Sequence, residues 1–113
     1  MVKQEYSGTR DLTYSRWHRT LPDKCYCMDL DWIEWRAGKG IVAVIETKDY
    51  RSRGIGRFQK EVMLIIANAL KVPAIFVKFR FDISPAIFCL EHLQSGKKKN
   101  MTESEYRDWL TNI

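Results

Sequence analysis

The chain has 113 residues, of which 45% are hydrophobic, and it carries a formal net charge of +5 at neutral pH. This length favours a single domain, residues 1–113, with a core of its own. Its longest apolar run, residues 62–70, is interrupted by Asn68 and is far shorter than the roughly 20 residues of a membrane span, so we expect no membrane partner and a soluble, cytoplasmic protein. The positive charge favours polyanionic partners such as nucleic acids.

The chain contains three cysteines, and this odd number argues against a disulfide framework. Cys25 and Cys27 form a C-x-C pair, but with Cys89 they supply only three of the four ligands of a closed zinc site. We therefore interpret the pair as alternation in a strand, with both thiols on one face.

The first predicted helix covers residues 13–21, after an arm or lead-in, residues 1–13, that shows little periodicity. Aromatic and apolar side chains recur in the helix at helical spacing, and Pro22 ends it because proline disfavours helical geometry in the residue before it. Its polar side carries Arg16 and Arg19. These side chains either contact phosphate or are ordinary solvated arginines.

Two strands joined by a glycine-containing turn follow. Residues 25–35 are rich in aromatic and β-branched side chains, and residues 41–47 are almost continuously apolar, which is typical of a central strand covered on both faces. A hairpin makes the two strands antiparallel neighbours, so that the start of the first lies near the end of the second.

The second half of the chain predicts a long helix at residues 56–70, a third strand at residues 74–79 and a fourth, near an edge of the sheet, at residues 86–93. A helical crossover lays the third strand parallel to the second. A lysine-containing loop, residues 96–100, precedes a capping box at residues 102–105 and a final helix. The predicted fold is α/β, with a mixed central sheet of about four strands flanked by helices in the order α-β-β-α-β-β-α.

Charged residues around the hairpin have a characteristic spacing. Asp31 precedes an E-x-K tripeptide, residues 46–48, at the end of an apolar strand, and a basic loop and a helix carrying Gln59 come next. This arrangement resembles the PD-(D/E)XK nuclease superfamily. The resemblance covers about residues 14–79. This segment is similar to small members of the superfamily such as Holliday-junction resolvases and helicase-associated exonucleases. The resemblance implies a restriction-endonuclease-like core. Leu30 stands where many members have proline.

The resemblance implies a metal-dependent DNA endonuclease. Asp31 and Glu46 would hold Mg²⁺, or Mn²⁺, with the main-chain carbonyl of Thr47 as a third ligand, because magnesium prefers oxygen ligands. Lys48 would orient the attacking water or stabilise the developing negative charge. Gln59 would hydrogen-bond the lysine, the nucleophile or a phosphate. The alternative for the E-x-K tripeptide is a surface salt bridge at a strand end.

Other polar residues have two interpretations each. Asp29 shares the predicted strand face of Asp31 and is an alternative metal ligand, or a solvated acid. His18 is either a further metal ligand, as in the exonuclease subgroup, or a satisfied histidine on a helix face. The arginines that flank the two glycines of the basic loop either contact phosphate or lie in a solvated loop; they are Arg51, Arg53 and Arg57.

The implied partner is DNA, and branched or otherwise structured DNA is the first substrate to test, by analogy with the resolvases. A chain this short leaves little room for a specificity domain, so we expect a homodimer. Two alternatives remain: a non-catalytic nucleic-acid-binding module that keeps the nuclease fold, and an unrelated α/β interaction protein with salt-insensitive DNA association. The lysines at residues 97–99 either extend a DNA track or form an exposed turn.

Overall fold

The computed structural model describes residues 11–113. Most of the predicted arm, residues 1–10, lies outside the described residues. Within residues 11–113, no helix is long and apolar enough to cross a membrane. The elements in chain order are α1 (Thr13–His18), β1 (Trp32–Arg36), β2 (Gly40–Asp49), α2 (Arg57–Leu70), β3 (Ala74–Arg80), β4 (Ile87–His92), β5 (Lys98–Thr102) and α3 (Glu103–Asn112).

The strands form one mixed sheet in the order β1-β2-β3-β4-β5. β2 and β3 are parallel, and the other neighbours are antiparallel. A parallel pair needs a crossover, and α2 provides it. The α/β class, the antiparallel hairpin and the parallel pairing of the second and third strands are therefore confirmed.

The sheet has one strand more than the sequence predicts. Lys98 to Asn100, expected in a loop, belong to β5, which pairs with β4 and makes β4 an interior strand rather than an edge strand. The prediction failed because β5 reads KKNMT, in which only Met101 is buried. One apolar side chain in an edge strand produces no alternating pattern.

The first strand is shorter than predicted, since β1 begins at Trp32 rather than near residue 25. The backbone N–H of Thr47 donates a hydrogen bond to the side-chain Oδ2 of Asp31, at 3.1 Å. Extending the pairing of β1 with β2 would require this N–H to bond a backbone carbonyl instead, so the strand ends here. Cys25 and Cys27 therefore lie outside any strand, both exposed, and the alternation predicted for them is wrong.

The sheet is covered by one helix on each face, and β2 divides its side chains between them. Ala43 and Ile45 point into the core beneath α3, whereas Val44 packs with Met63 and Ala67 of α2. Because strand side chains alternate, the next residues on the α2 side of β2 are at positions 46 and 48. The packing of the core thus places the E-x-K side chains on the α2 face.

The last helix begins with the predicted capping box. Thr102 Oγ1 accepts a hydrogen bond from the Glu105 N–H at 3.3 Å, and Glu105 Oε1 accepts one from the Thr102 N–H at 3.0 Å. The helix then stacks Tyr106 on Phe88 of β4, with ring centroids 4.4 Å apart. This arrangement satisfies two N–H groups and anchors α3 on the sheet.

The half-buried ring of Tyr106 predicts a loss of stability at alkaline pH. Burial, and to a smaller extent the charge of Glu34, raises the pKa of Tyr106 to about 12. The folded state favours the neutral phenol, and the stabilisation that this gives is complete below the unfolded-state pKa near 10. It is lost as pH rises toward 12. After allowance for solvent screening we expect a loss of about 1–2 kcal/mol between pH 9 and 12. Urea unfolding of the wild type and of Tyr106→Phe at both pH values measures it.

The difference in pH-dependent stability between the wild type and Tyr106→Phe separates the effect of Tyr106 from that of the other tyrosines. Tyr26→Phe, at an exposed position, is the matched control and should lose stability with pH as the wild type does. A Tyr106→Phe protein that loses as much stability as the wild type would contradict the assignment.

Candidate active site

Two carboxylates meet where β1 and β2 begin to separate. The antiparallel register pairs Trp32 with Ile45, and one further step places Asp31 opposite Glu46. Oδ2 of Asp31 accepts hydrogen bonds from the backbone N–H of Thr47, at 3.1 Å, and from its hydroxyl, at 3.4 Å. The structure thus brings Asp31 to Glu46, as the hairpin predicts, although Asp31 precedes the strand.

Glu46 is only 5% exposed and is the one buried charged side chain among residues 11–113. Its Oε2 atom is enclosed and has no hydrogen-bond partner in this part of the chain. Buried polar groups are almost always paired, because leaving one without a partner costs about 1–3 kcal/mol and more for a charged group. An enclosed carboxylate oxygen of this kind marks a place where a positive ligand would be stabilised.

The electrostatics of the pair agree with the geometry. Burial raises the pKa of Glu46 above its ordinary value, and the nearby charge of Asp31 raises it further. The side chain of Gln59 and the ammonium of Lys48 act in the opposite direction. Both carboxylates compete for positive charge, as expected of two acids that share one site.

Lys48 and Gln59 complete the group from two different elements. Lys48 follows Glu46 by two residues on β2 and so shares its face of the sheet. Gln59 lies in the first turn of α2 and reaches Glu46 from above the sheet. The four predicted catalytic residues therefore converge at the carboxyl ends of the parallel strands β2 and β3, where open α/β sheets commonly bind ligands.

Trp32 takes part in this network, although no sequence pattern predicts it. Its indole Nε1 donates to Oγ1 of Thr47 at 3.1 Å, and the same hydroxyl lies 3.4 Å from Oδ2 of Asp31. The indole fixes the hydroxyl, and the hydroxyl helps to fix the carboxylate. The bond joins residues 15 positions apart, so it depends on the hairpin register and leaves no local signal in the sequence.

His18 is placed elsewhere. Its Nδ1 lies 3.4 Å from Sγ of Cys27, and it lines a cavity of about 660 Å³ with Cys25 and Asp29. No group of three or more His, Cys, Asp or Glu side chains in residues 11–113 is arranged to hold a metal ion. The structure therefore does not join His18 to the two carboxylates.

The predicted phosphate-binding arginines have different surroundings. The guanidinium of Arg51 is held by Asp49, with Nε 2.7 Å from Oδ1, so part of its charge is already neutralised. The remaining four side chains are exposed. Arg53 precedes α2 and Arg57 is its first residue, whereas Arg16 and Arg19 lie on or just after α1.

The site offers an oxygen-rich ligand set with a cation beside it. Two carboxylates and the main chain of Thr47 suit a hard divalent ion better than a soft metal, which favours thiolates. Comparison of the chain with protein-family models, curated proteins and solved structures finds no match. The family resemblance therefore stays a prediction made from the residues.

Proposed function

We propose that this chain is a divalent-metal-dependent DNA endonuclease of the PD-(D/E)XK type. The observation that carries the proposal is the buried carboxylate of Glu46 beside Asp31, one oxygen of which is enclosed and has no hydrogen-bond partner in the described part of the chain. A surface salt bridge, the alternative interpretation of the E-x-K tripeptide, does not account for it. Glu46 is buried, and the ion pairs found within residues 11–113 join other residues.

The residues present fit a magnesium or manganese ion. Asp31, Glu46 and the main-chain carbonyl of Thr47 would hold it, and the ion would supply the partner that Oε2 of Glu46 does not find among residues 11–113. A divalent ion in such a site supplies an activated water and neutralises charge on the phosphate. Two protein carboxylates are sufficient because magnesium usually keeps several waters.

The surrounding side chains would stabilise charge and position the two carboxylates. The ammonium of Lys48 would orient the attacking water or stabilise negative charge as it develops on the phosphate. Gln59 would hold Glu46 in position, and Trp32 would hold Asp31 through the hydroxyl of Thr47. Groups fixed in this way do not need to reorganise during the reaction.

The order of elements supports the finer fold within this proposal. A helix, an antiparallel hairpin, a crossover helix and a parallel strand follow one another in α1, β1, β2, α2 and β3, as the resemblance implies. Exposed Arg53 and Arg57, next to the site, suit contacts to the DNA backbone. Branched DNA and a homodimeric assembly are part of the proposal by analogy with compact nucleases of this type.

A cleavage assay tests the proposal directly. Purified protein is incubated with Mg²⁺ or Mn²⁺ and with supercoiled, linear, single-stranded and four-way-junction DNA. We expect cleavage of at least one substrate by the wild type and loss of it in Glu46→Ala and Lys48→Ala. Glu61→Ala, at an exposed position of α2, is the matched control and should retain activity.

Two results would count against the enzyme. If cleavage persists in both Glu46→Ala and Lys48→Ala, these residues are not part of the active site. Binding without cleavage of any substrate would favour the non-catalytic nucleic-acid-binding module.

A further inference from the structure

The sheet face that carries the candidate site is only partly covered. α2 packs on β2 and β3, and beyond it no other helix within residues 11–113 covers the same face of β4 and β5. On β4, Phe88 and Leu90 are buried on the α3 side, whereas Cys89 between them is exposed. On β5, Met101 is buried and Asn100 is exposed. The open strip therefore begins beside the site and ends at the β5 edge.

The register of the strands aligns one row of side chains along this strip. Lys48 lies opposite Lys78, Lys78 opposite Cys89, and Cys89 opposite Asn100. Directly opposed residues point to the same face. At about 4.8 Å between neighbouring strands, the row extends about 14 Å from the proposed catalytic lysine.

A groove of about 300 Å³ lies along this row. Its charged lining consists of Arg53, Lys78 and Lys98 with a single acid, Glu91. The ammonium of Lys78 donates one hydrogen bond to the carbonyl of Ser52 at 2.8 Å, which holds it in place and leaves two of its three donors for a ligand. The groove thus has the charge and the fixed donors of an anion-binding surface.

We propose that this groove binds the phosphodiester backbone of the DNA strand that passes through the candidate site. Lys78 and Lys98 contact phosphates, and Asn100 donates from the outer edge. The row is long enough for more than one phosphate contact along one strand. The inference rests on the proposed function, since the groove begins at Lys78, the strand neighbour of Lys48, but it concerns binding and can be tested without cleavage.

The first test measures DNA affinity in EDTA, where metal-dependent cleavage cannot occur. Fluorescence anisotropy with a labelled single-stranded oligonucleotide and the matching duplex gives the slope of log affinity against log salt. One lost phosphate contact reduces the magnitude of this slope by about 0.7 on the single strand and about 0.9 on the duplex. We expect this reduction in Lys98→Gln. Lys39→Gln, in the turn between β1 and β2, should leave the slope unchanged.

The second test uses Cys89 as a probe in the middle of the row. Alkylation of each cysteine by iodoacetamide is followed by mass spectrometry with and without saturating DNA. We expect DNA to slow alkylation of Cys89 several-fold and to leave Cys25 and Cys27 unaffected, because these two line a different cavity.

The outcomes separate this inference from the proposed function. Three results would contradict DNA binding in the groove even if the protein cleaves DNA. They are an unchanged salt slope in Lys98→Gln, no protection of Cys89, and protection of Cys25 and Cys27 instead. Protection of Cys89 and a reduced slope in a protein that cleaves nothing would support the groove and overturn the endonuclease.

Discussion

Glu46→Gln will abolish metal-dependent cleavage and will also raise the thermal stability of the metal-free protein. The wild-type carboxylate is buried, faces Asp31 and has an oxygen with no hydrogen-bond partner within residues 11–113, so the two negative charges oppose folding of the metal-free protein. A neutral amide of the same shape removes the repulsion and can donate a hydrogen bond to Asp31. Relief of a buried, unsatisfied group is worth about 1–3 kcal/mol, or about 4 °C in Tm per kcal/mol for a domain of this size.

Thermal unfolding with EDTA and with increasing Mg²⁺ measures both effects. A ligand that binds only the folded protein stabilises it by about 2.7 kcal/mol at a concentration of 100 Kd, so Mg²⁺ should raise the Tm of the wild type. It should not raise the Tm of Glu46→Gln. Glu61→Gln is the exposed control and should behave as the wild type does. A less stable Glu46→Gln protein would show that this carboxylate does not oppose folding, and one that keeps the Mg²⁺ response would show that it is not a metal ligand.

Lys48→Met will reduce the cleavage rate by about 10²–10³-fold while the Mg²⁺-induced rise in Tm remains. Methionine keeps much of the apolar stem of lysine and removes the ammonium, so the change acts on charge near the phosphate more than on packing. The range is typical for the loss of one group that stabilises developing charge. Removing a cation beside Glu46 and Asp31 does not weaken their attraction for a divalent ion.

Single-turnover cleavage at saturating DNA, with the Mg²⁺-dependent Tm measured on the same samples, tests this second prediction. Lys39→Met in the turn between β1 and β2 is the matched control and should match the wild type in both measurements. If Lys48→Met loses cleavage and the Mg²⁺ response together, Lys48 supports the architecture of the site rather than the chemistry.

The parts of the fold that sequence predicts well are those with strong local patterns. The apolar run of β2, the apolar face of α2 and the capping box of Thr102 and Glu105 each specify an element by itself. β5 has only Met101 as a core residue and is a strand because β4 offers it an edge. The end of β1 depends on one bond from Thr47 to Asp31, and no composition signal marks such a bond.

Some residues of the candidate site can likewise be identified from local sequence patterns, and others cannot. Glu46 and Lys48 are visible in sequence because alternation places them on one face of a recognisable strand, whereas Gln59 is identified only through the family resemblance. Trp32 and Lys78 are not visible, because their positions depend on pairing with other strands. Spacing along the chain identifies ligands on one element, whereas their supporting neighbours require the register between elements.

The bond that ends β1 also has a spectroscopic consequence. The amide proton of Thr47 is donated to a carboxylate side chain rather than to a backbone carbonyl, so its NMR frequency and its rate of exchange with solvent depend on the state of Asp31. Any ligand that draws charge from this carboxylate must alter the amide signal. The hairpin therefore contains an intrinsic reporter, at one assigned resonance, of what occupies the site.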